Sequence, residues 1–169
     1  GMQSKATLAG GRVVAAIQRI FCGDRHVSKL LDKMAFVAYN KRVGTPQTAY
    51  DWLSRNPDNV KKYMDDPLCG FVFTVNGFRT LFKLIGNLHD KEALSGMPKS
   101  LPVFFIAGEA DPVGNYGESV KKVYQSFQDM GMEKVQLKLY PEERHEIFNE
   151  EARQDIYMDV YRWRLQRRA

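Results

Sequence analysis

Two side chains that follow apolar runs have the types and spacing needed for acid–base chemistry. Asp111 comes shortly after "VFFIAG", Val103–Gly108, and His145 comes shortly after "KVQLKLY", Lys134–Tyr140. An aspartate beside a histidine fixes the tautomer of the imidazole and stabilises the imidazolium, which prepares a general base for a nucleophile. The pair therefore indicates proton transfer, provided that the fold brings the two loops together.

A purely structural interpretation of the same two residues is open at this point. Asp111 could cap the turn in which it lies, and His145 could be a surface histidine beside Glu142, Glu143 and Glu146. Spacing alone does not separate this interpretation from the acid–base one, because an aspartate and a histidine occur in the loops of many proteins.

The C-terminal half has a pattern that would position these loops. Val103–Gly108 is typical of a strand buried on both faces, and Lys134–Tyr140 alternates like a strand. Helical spacing lies between them, over Gly117–Met130, and follows them, over Ile147–Leu165. This order predicts parallel strands joined by a right-handed crossover, and functional residues gather beyond the carboxyl ends of such strands.

The N-terminal half is predicted to be nearly all helix, because its apolar residues recur at helical spacing. Ser28 and Thr74 are expected to cap helices, and Pro57 suits the first turn of one. The predicted helices cover Arg12–Phe21, Val27–Tyr39, Ala49–Asn56, Pro57–Asp66 and Val75–Asp90. Together the two halves predict the α/β class.

Composition limits the possible partners. No apolar stretch approaches the roughly 20 residues that span a bilayer, so we expect no membrane span. The net charge is +5, and part of it lies in the tail Arg162–Ala169. Basic residues at a helix C-terminus complement the helix dipole, so we expect no nucleic-acid partner. The start of the chain has no apolar signal region, from which we expect a cytoplasmic location.

Nothing in the sequence predicts a cofactor or a metal ion. Cys22 and Cys69 stand alone, and the three histidines, His26, His89 and His145, are far apart. The carboxylates of "GEADP" lack the roughly six oxygen ligands that a hard cation needs.

Three segments, in order, resemble the α/β-hydrolases of the lysophospholipase and monoacylglycerol-lipase-like branch, the serine aminopeptidase group. "LPVFFIAGEADPVGNYG", Leu101–Gly117, resembles their acid loop, and "KLYPEERHEIFNE", Lys138–Glu150, their histidine segment. Tyr50–Thr74 resembles their helical lid. The resemblance implies that Asp111 is the triad acid and His145 the base of a hydrolase that cleaves lipid-like carboxylic esters through an acyl-enzyme.

The chain departs from that family in lacking the G-x-S-x-G nucleophile motif. Ser95 lacks the preceding strand, and Ser54 falls in the lid. We therefore expect an incomplete fold: a helical lid over residues 1–98, then the last two strands and helices of the sheet over residues 99–169. Without its nucleophile the chain is expected to be inactive alone. The Val103 strand would also have an open edge, so we expect self-association through it, or pairing with the missing half if that half is another polypeptide.

Two other interpretations stay open. The chain could be a naturally truncated, non-enzymatic module that dimerises through an exposed edge of the Val103 strand, or part of a peptidase or small-ester hydrolase. Asn149 and Glu150 are expected to cap the final helix or to lie on its surface. The lid aromatics could line an acyl pocket, although most should pack between helices; they are Phe36, Tyr39, Tyr50, Trp52, Phe71, Phe73 and Phe78.

Overall fold

In the computed structural model, which describes residues 4–88 and 91–167, five helices precede two strands, and each strand is followed by one further helix. The elements are α1 (Lys5–Cys22), α2 (Lys29–Asn40), α3 (Pro57–Asp65), α4 (Val75–Asn87), α5 (Lys91–Ser95), β1 (Val103–Gly108), α6 (Glu118–Asp129), β2 (Val135–Tyr140) and α7 (Arg153–Leu165). The expected α/β class, helices first and then two parallel strands, is confirmed. His89 and Asp90, and the tail residues 168–169, lie outside the described residues.

The starts of the N-terminal helices follow from their capping residues. Ser28 Oγ accepts a hydrogen bond from the backbone N–H of Leu31, and Thr74 Oγ1 accepts one from Gly77. Pro57 is the first residue of α3. These three predictions are confirmed. Helix α1 begins earlier than predicted, because Ser4 caps it by accepting from the backbone of Thr7.

The predicted helix over Ala49–Asn56 is wrong, because the segment forms turns. The carboxylate of Asp51 accepts hydrogen bonds from the backbone N–H groups of Gln47 and Thr48, and Thr48 Oγ1 accepts one from Tyr50. Local side-chain acceptors of this kind compete with the helical hydrogen bonds of the backbone. We call residues 50–55 the Trp52 turn.

The final helix also begins later than predicted, at Arg153 instead of Ile147. Residues 147–152 form turns, and Asn149 donates its backbone N–H to the carbonyl of Glu146 at 2.7 Å. The side chain of Ile147 is buried beside Ile156 and Tyr140, so the apolar residue belongs to the core without belonging to the helix. Apolar spacing therefore located the buried residue but misplaced the helix start.

Strands β1 and β2 lie within one residue of their predicted bounds and pair in parallel, from Val103 opposite Val135 to Gly108 opposite Tyr140. Helices pack on both faces. Phe105 meets Phe127 of α6 edge-on, and Phe104 stacks on Trp163 of α7. The expectation that β1 is buried on both faces is wrong, because most of its residues are only half-buried. Within the described residues, β1 has one strand neighbour.

Two apolar clusters form the core. Ala15, Leu31 and Phe78 are fully buried where α1, α2 and α4 meet. The second cluster contains Tyr140, Ile147 and Ile156, beside the sheet. The helical part and the sheet part therefore each have apolar packing of their own.

Gly108, the last residue of β1, lies directly beneath the chain that carries His145. A Cβ atom at this position would overlap the carbonyl oxygens of Glu143 and Arg144. The same approach lets Ala110 donate its backbone N–H to the carbonyl of Glu143 at 2.9 Å. We call residues 141–152 the histidine loop and residues 109–117 the acid loop. Only glycine permits this contact between β1 and the histidine loop.

Replacing Gly108 by alanine should therefore destabilise the protein. The added methyl group meets backbone atoms, which cannot rotate away, so we expect a loss of about 3 kcal/mol, at the upper end of overpacking penalties. Urea unfolding followed by circular dichroism would measure it. The matched control is Gly10→Ala in α1, where a Cβ meets nothing within 4 Å. This control should be neutral or slightly stabilising, because alanine is the better helix former. Equal stability of the two variants would contradict the contact.

Candidate active site

Asp111 lies in the acid loop, three residues after β1, with a side chain that is only 8% exposed. Its Oδ1 accepts a hydrogen bond from the backbone N–H of Val113 at 2.8 Å. Its backbone carbonyl accepts one from Tyr116 at 2.9 Å. The aspartate therefore caps its own turn, as the structural interpretation expected, and this uses only one of its two carboxylate oxygens.

The second oxygen of Asp111 meets His145. Asp111 Oδ2 and His145 Nδ1 are 3.0 Å apart, which is hydrogen-bonding distance. A carboxylate only accepts, so Nδ1 carries the proton and Nε2 is left with the lone pair. Among the described residues, Nε2 has no hydrogen-bond partner. The side chain of His145 is 40% exposed, so the ring is held on one side and accessible on the other.

A cavity of about 440 Å³ opens beside this pair. Its polar lining residues are Asp111, His145, Glu146 and Asn149, and its apolar ones lie at the end of β1 and in the histidine loop: Ile106, Ala107, Ile147 and Phe148. Pockets that are mostly apolar, with a few convergent polar groups, are the usual form of a small-molecule site. The acid–base pair therefore faces a space that an apolar group can enter.

The Trp52 turn forms one wall of the histidine site. The ring centroids of Trp52 and His145 are 5.2 Å apart. Trp52 also packs against Phe36 and Tyr39 of α2. The aromatic residues of the predicted lid thus divide: some form this cluster, whereas Phe71 is 62% exposed.

Glu143 precedes the histidine by two residues and is nearly buried. Burial raises the pKa of the Glu143 carboxyl group, and the negative charge of Glu150 raises it further. Because the folded protein resists ionising Glu143, this residue contributes most to stability at acidic pH. The contribution falls as the pH rises through the raised pKa.

Glu150 was expected to cap the final helix or to lie on its surface, but its side chain does neither. Its side chain is completely buried. Oε2 accepts from the hydroxyl of Ser54 at 2.8 Å, and Oε1 accepts from the backbone N–H groups of Arg55 at 2.9 Å and Arg144 at 3.0 Å. Ser54 lies 96 residues earlier in the chain, so no local pattern could have indicated the contact. Asn149 is exposed, as expected.

The two serines considered from the sequence lie elsewhere. Ser54 is 1% exposed and its hydroxyl donates to Glu150. Ser95 lies on α5 and donates its hydroxyl to the carbonyl of Glu92 at 2.7 Å. Within the part of the chain that the structure describes, no serine hydroxyl is hydrogen-bonded to His145.

Residues 4–88 and 91–167 contain neither a cluster of metal-ligating side chains nor a helix that could span a membrane. No group of three or more histidine, cysteine, aspartate or glutamate side chains could hold a metal ion there. None of the helices there is both long enough and apolar enough to cross a membrane.

A model of a known protein family matches most of the chain. The family model described as serine aminopeptidase, S33, matches residues 12–152. The chain belongs to this family. The matched region includes the helices that precede the sheet, both strands, the acid loop and His145. No curated protein sequence matches the chain.

Solved structures with the same fold include lipases and an esterase. A highly thermostable carboxyl esterase from Bacillus coagulans superposes with a TM-score of 0.74 and 28% identity, over 91% of this chain and 49% of that one. A monoacylglycerol lipase from Paleococcus ferrophilus gives 0.62 and 20%, over 96% and 52%. A monoglyceride lipase from Saccharomyces cerevisiae gives 0.55 and 17%, over 94% and 50%. The chain spans about half the length of these structures.

The hydrogen bond between Asp111 and His145 predicts the tautomer of the imidazole. In the Asp111→Asn variant, the amide N–H₂ group can donate to Nδ1, so we expect the proton to move to Nε2. Long-range ¹H–¹⁵N correlation spectra of the His145 ring, recorded where the imidazole is neutral, would distinguish the two forms. The matched control is Asp129→Asn on α6, whose carboxylate contacts Gln125 instead. An unchanged tautomer in Asp111→Asn would contradict the assigned role of the aspartate.

Proposed function

We propose that Asp111 and His145 are the acid and base of a serine carboxylic-ester hydrolase whose nucleophile is supplied from outside these 169 residues. The observation that carries the proposal is the 3.0 Å contact between Asp111 Oδ2 and His145 Nδ1, beside an open cavity. The G-x-S-x-G motif of the family is absent from the sequence. The chain alone is therefore proposed to be inactive.

In the proposed reaction, His145 Nε2 takes the proton of the serine hydroxyl as its oxygen attacks the ester carbonyl carbon. The imidazolium that forms is stabilised by Asp111 through Nδ1. His145 then gives the proton to the departing alcohol, which leaves an acyl-enzyme. Water, deprotonated by His145 in the same way, attacks the acyl-enzyme; the proton goes to the serine oxygen, and the carboxylic acid is released.

Esters with an apolar acyl group are the proposed substrate class. Ile106, Ala107, Ile147 and Phe148 give the cavity an apolar part, and the carboxyl esterase from Bacillus coagulans is 28% identical. A peptidase role has the family description in its favour, but none of the described residues that line this cavity is a lysine or arginine that could bind a peptide carboxylate. Within this proposal, residues 1–98 are the lid and residues 99–169 the C-terminal part of the catalytic core.

A chimera tests the catalytic assignment directly. The chain would be joined to the half of the Bacillus coagulans carboxyl esterase that it does not cover, and treated with a fluorophosphonate probe and a short p-nitrophenyl ester. We expect the unmodified chain not to react and the chimera to react. His145→Ala in the chimera should abolish hydrolysis, with a rate loss of about 10³-fold or more. His26→Ala, at an exposed histidine, is the matched control and should retain the rate.

Chimeras would be compared only where thermal unfolding is cooperative, so that a misfolded hybrid is not mistaken for an inactive one. Hydrolysis that persists in His145→Ala would show that this histidine is not the base. Stoichiometric labelling of the unmodified chain would show that one of its own serines is the nucleophile.

We also propose that two copies of the chain associate through the free edge of β1. Val103 and Glu109 direct their backbone N–H groups at the β2 side, so the alternation of a strand directs those of Phe104 and Ile106 to the other side. These side chains are only half-buried. An apolar strand with an unpaired edge is a template for pairing with another chain.

Sedimentation at increasing concentration tests this association. We expect the chain to dimerise and the Ile106→Pro variant to be shifted toward monomer, because proline removes an N–H at the free edge without removing a bond to β2. Ile106→Val, which keeps that N–H, is the control. A strictly monomeric wild-type chain at high concentration would disprove the proposed association.

A further inference from the structure

Glu150 is a completely buried carboxylate that the proposed proton transfer does not use. Its two oxygens accept hydrogen bonds from Ser54 Oγ and from the backbone of Arg55, both in the Trp52 turn. They also accept from the backbone N–H of Arg144, the residue immediately before His145. A buried charge is expensive to maintain, so one that is saturated by donors from two distant segments has a specific structural task.

Arg144, in the histidine loop, also links this loop to the Trp52 turn, and here the histidine loop supplies the donor. Its guanidinium Nη1 donates to the backbone carbonyls of Asp51 at 2.6 Å and Ser54 at 3.1 Å. On the other side of the histidine, Glu146 donates its backbone N–H to the carbonyl of Leu53 at 2.9 Å. The residues that flank His145 on both sides are therefore hydrogen-bonded to the Trp52 turn.

His145 itself lies between the anchored points. One side of its ring meets Trp52 at a centroid distance of 5.2 Å, and Nδ1 bonds Asp111. Asp111 belongs to the acid loop, whose position is set by β1. His145 therefore contacts both the Trp52 turn and the acid loop, which are far apart in the sequence. The Trp52 turn thus contacts the ring of His145 and is hydrogen-bonded to the residues on both sides of it.

We propose that Glu150 is a positioning residue for His145: its carboxylate holds the Trp52 turn against the histidine loop and thereby keeps the imidazole on Asp111. This inference rests on the proposed role of His145 as the base. Glu150 touches neither the ring nor the cavity, so it acts through Arg144 and the Trp52 turn. The carboxylate is required because all three groups around it are donors. Glutamine would present its own N–H₂ group to some of them.

Glu150→Gln and Glu151→Gln form a matched pair of variants. Both replace one carboxylate by an amide at adjacent positions, but Glu151 is exposed. In the whole chain, ¹H–¹⁵N spectra would follow the hydrogen-bonded Nδ1 proton of His145, and nuclear Overhauser effects would follow the contact between the His145 and Trp52 rings. We expect Glu150→Gln to lose both signals while circular dichroism still shows a folded protein. Glu151→Gln should keep both.

A folded Glu150→Gln variant that keeps both signals would overturn the proposal, because Glu150 would then only stabilise the fold. If Glu150→Gln does not fold, Ser54→Ala decides, since it removes the hydroxyl donor and leaves both backbone donors in place. The Nδ1 proton of Ser54→Ala should exchange with solvent faster than in the wild type, and an unchanged exchange rate would overturn the proposal. These signals require no turnover, so their outcome is independent of the chimera experiment.

Discussion

The contact between Gly108 and the backbone of Glu143 and Arg144 is the constraint on which the site depends. It brings the histidine loop onto the end of β1, where the acid loop begins, and the N–H of Ala110 secures it by a hydrogen bond to Glu143. Asp111 and His145, 34 residues apart in the chain, then lie within hydrogen-bonding distance. The parallel pairing of β1 and β2 supplies the framework, because it places the carboxyl ends of both strands at one edge.

Two buried carboxylates stabilise this arrangement from opposite sides. Asp111 divides its oxygens between the turn of its own loop and the imidazole. Glu150 divides its oxygens between the Trp52 turn and the backbone next to His145. Leaving a buried donor unpaired costs about 1–3 kcal/mol, so these hydrogen bonds strongly favour a single arrangement of the loops. The exposed ion pair between Arg55 and Glu142 joins the same segments, but such a pair contributes little.

The apolar sequence of β1 is typical of a buried strand, but the strand is only half-buried. Apolar side chains lie on both of its faces, with α6 against one and α7 against the other, yet within the described residues only one strand pairs with it. The related solved structures are about twice as long as this chain. The half-exposed β1, the open cavity and His145 Nε2, which has no hydrogen-bond partner among the described residues, all lie at the carboxyl end of this strand or along it. The proposed nucleophile and the proposed association therefore both involve the region around β1.

The sequence by itself determined the elements whose signals are local. Alternation and apolar runs located β1 and β2, and Ser28, Thr74 and Pro57 marked helix starts because each acts within three residues of itself. Asp111 and His145 could be singled out because strand ends and residue types are visible in a linear pattern. The turns at 50–55 and 147–152 were missed, since apolar spacing does not record whether a buried residue lies in a helix. Only the tertiary structure decided that Glu150 is buried and that Trp52 meets His145. Hydrogen bonds and ring contacts between segments about 95 residues apart depend on how the chain packs, and that packing leaves no periodic trace in the sequence.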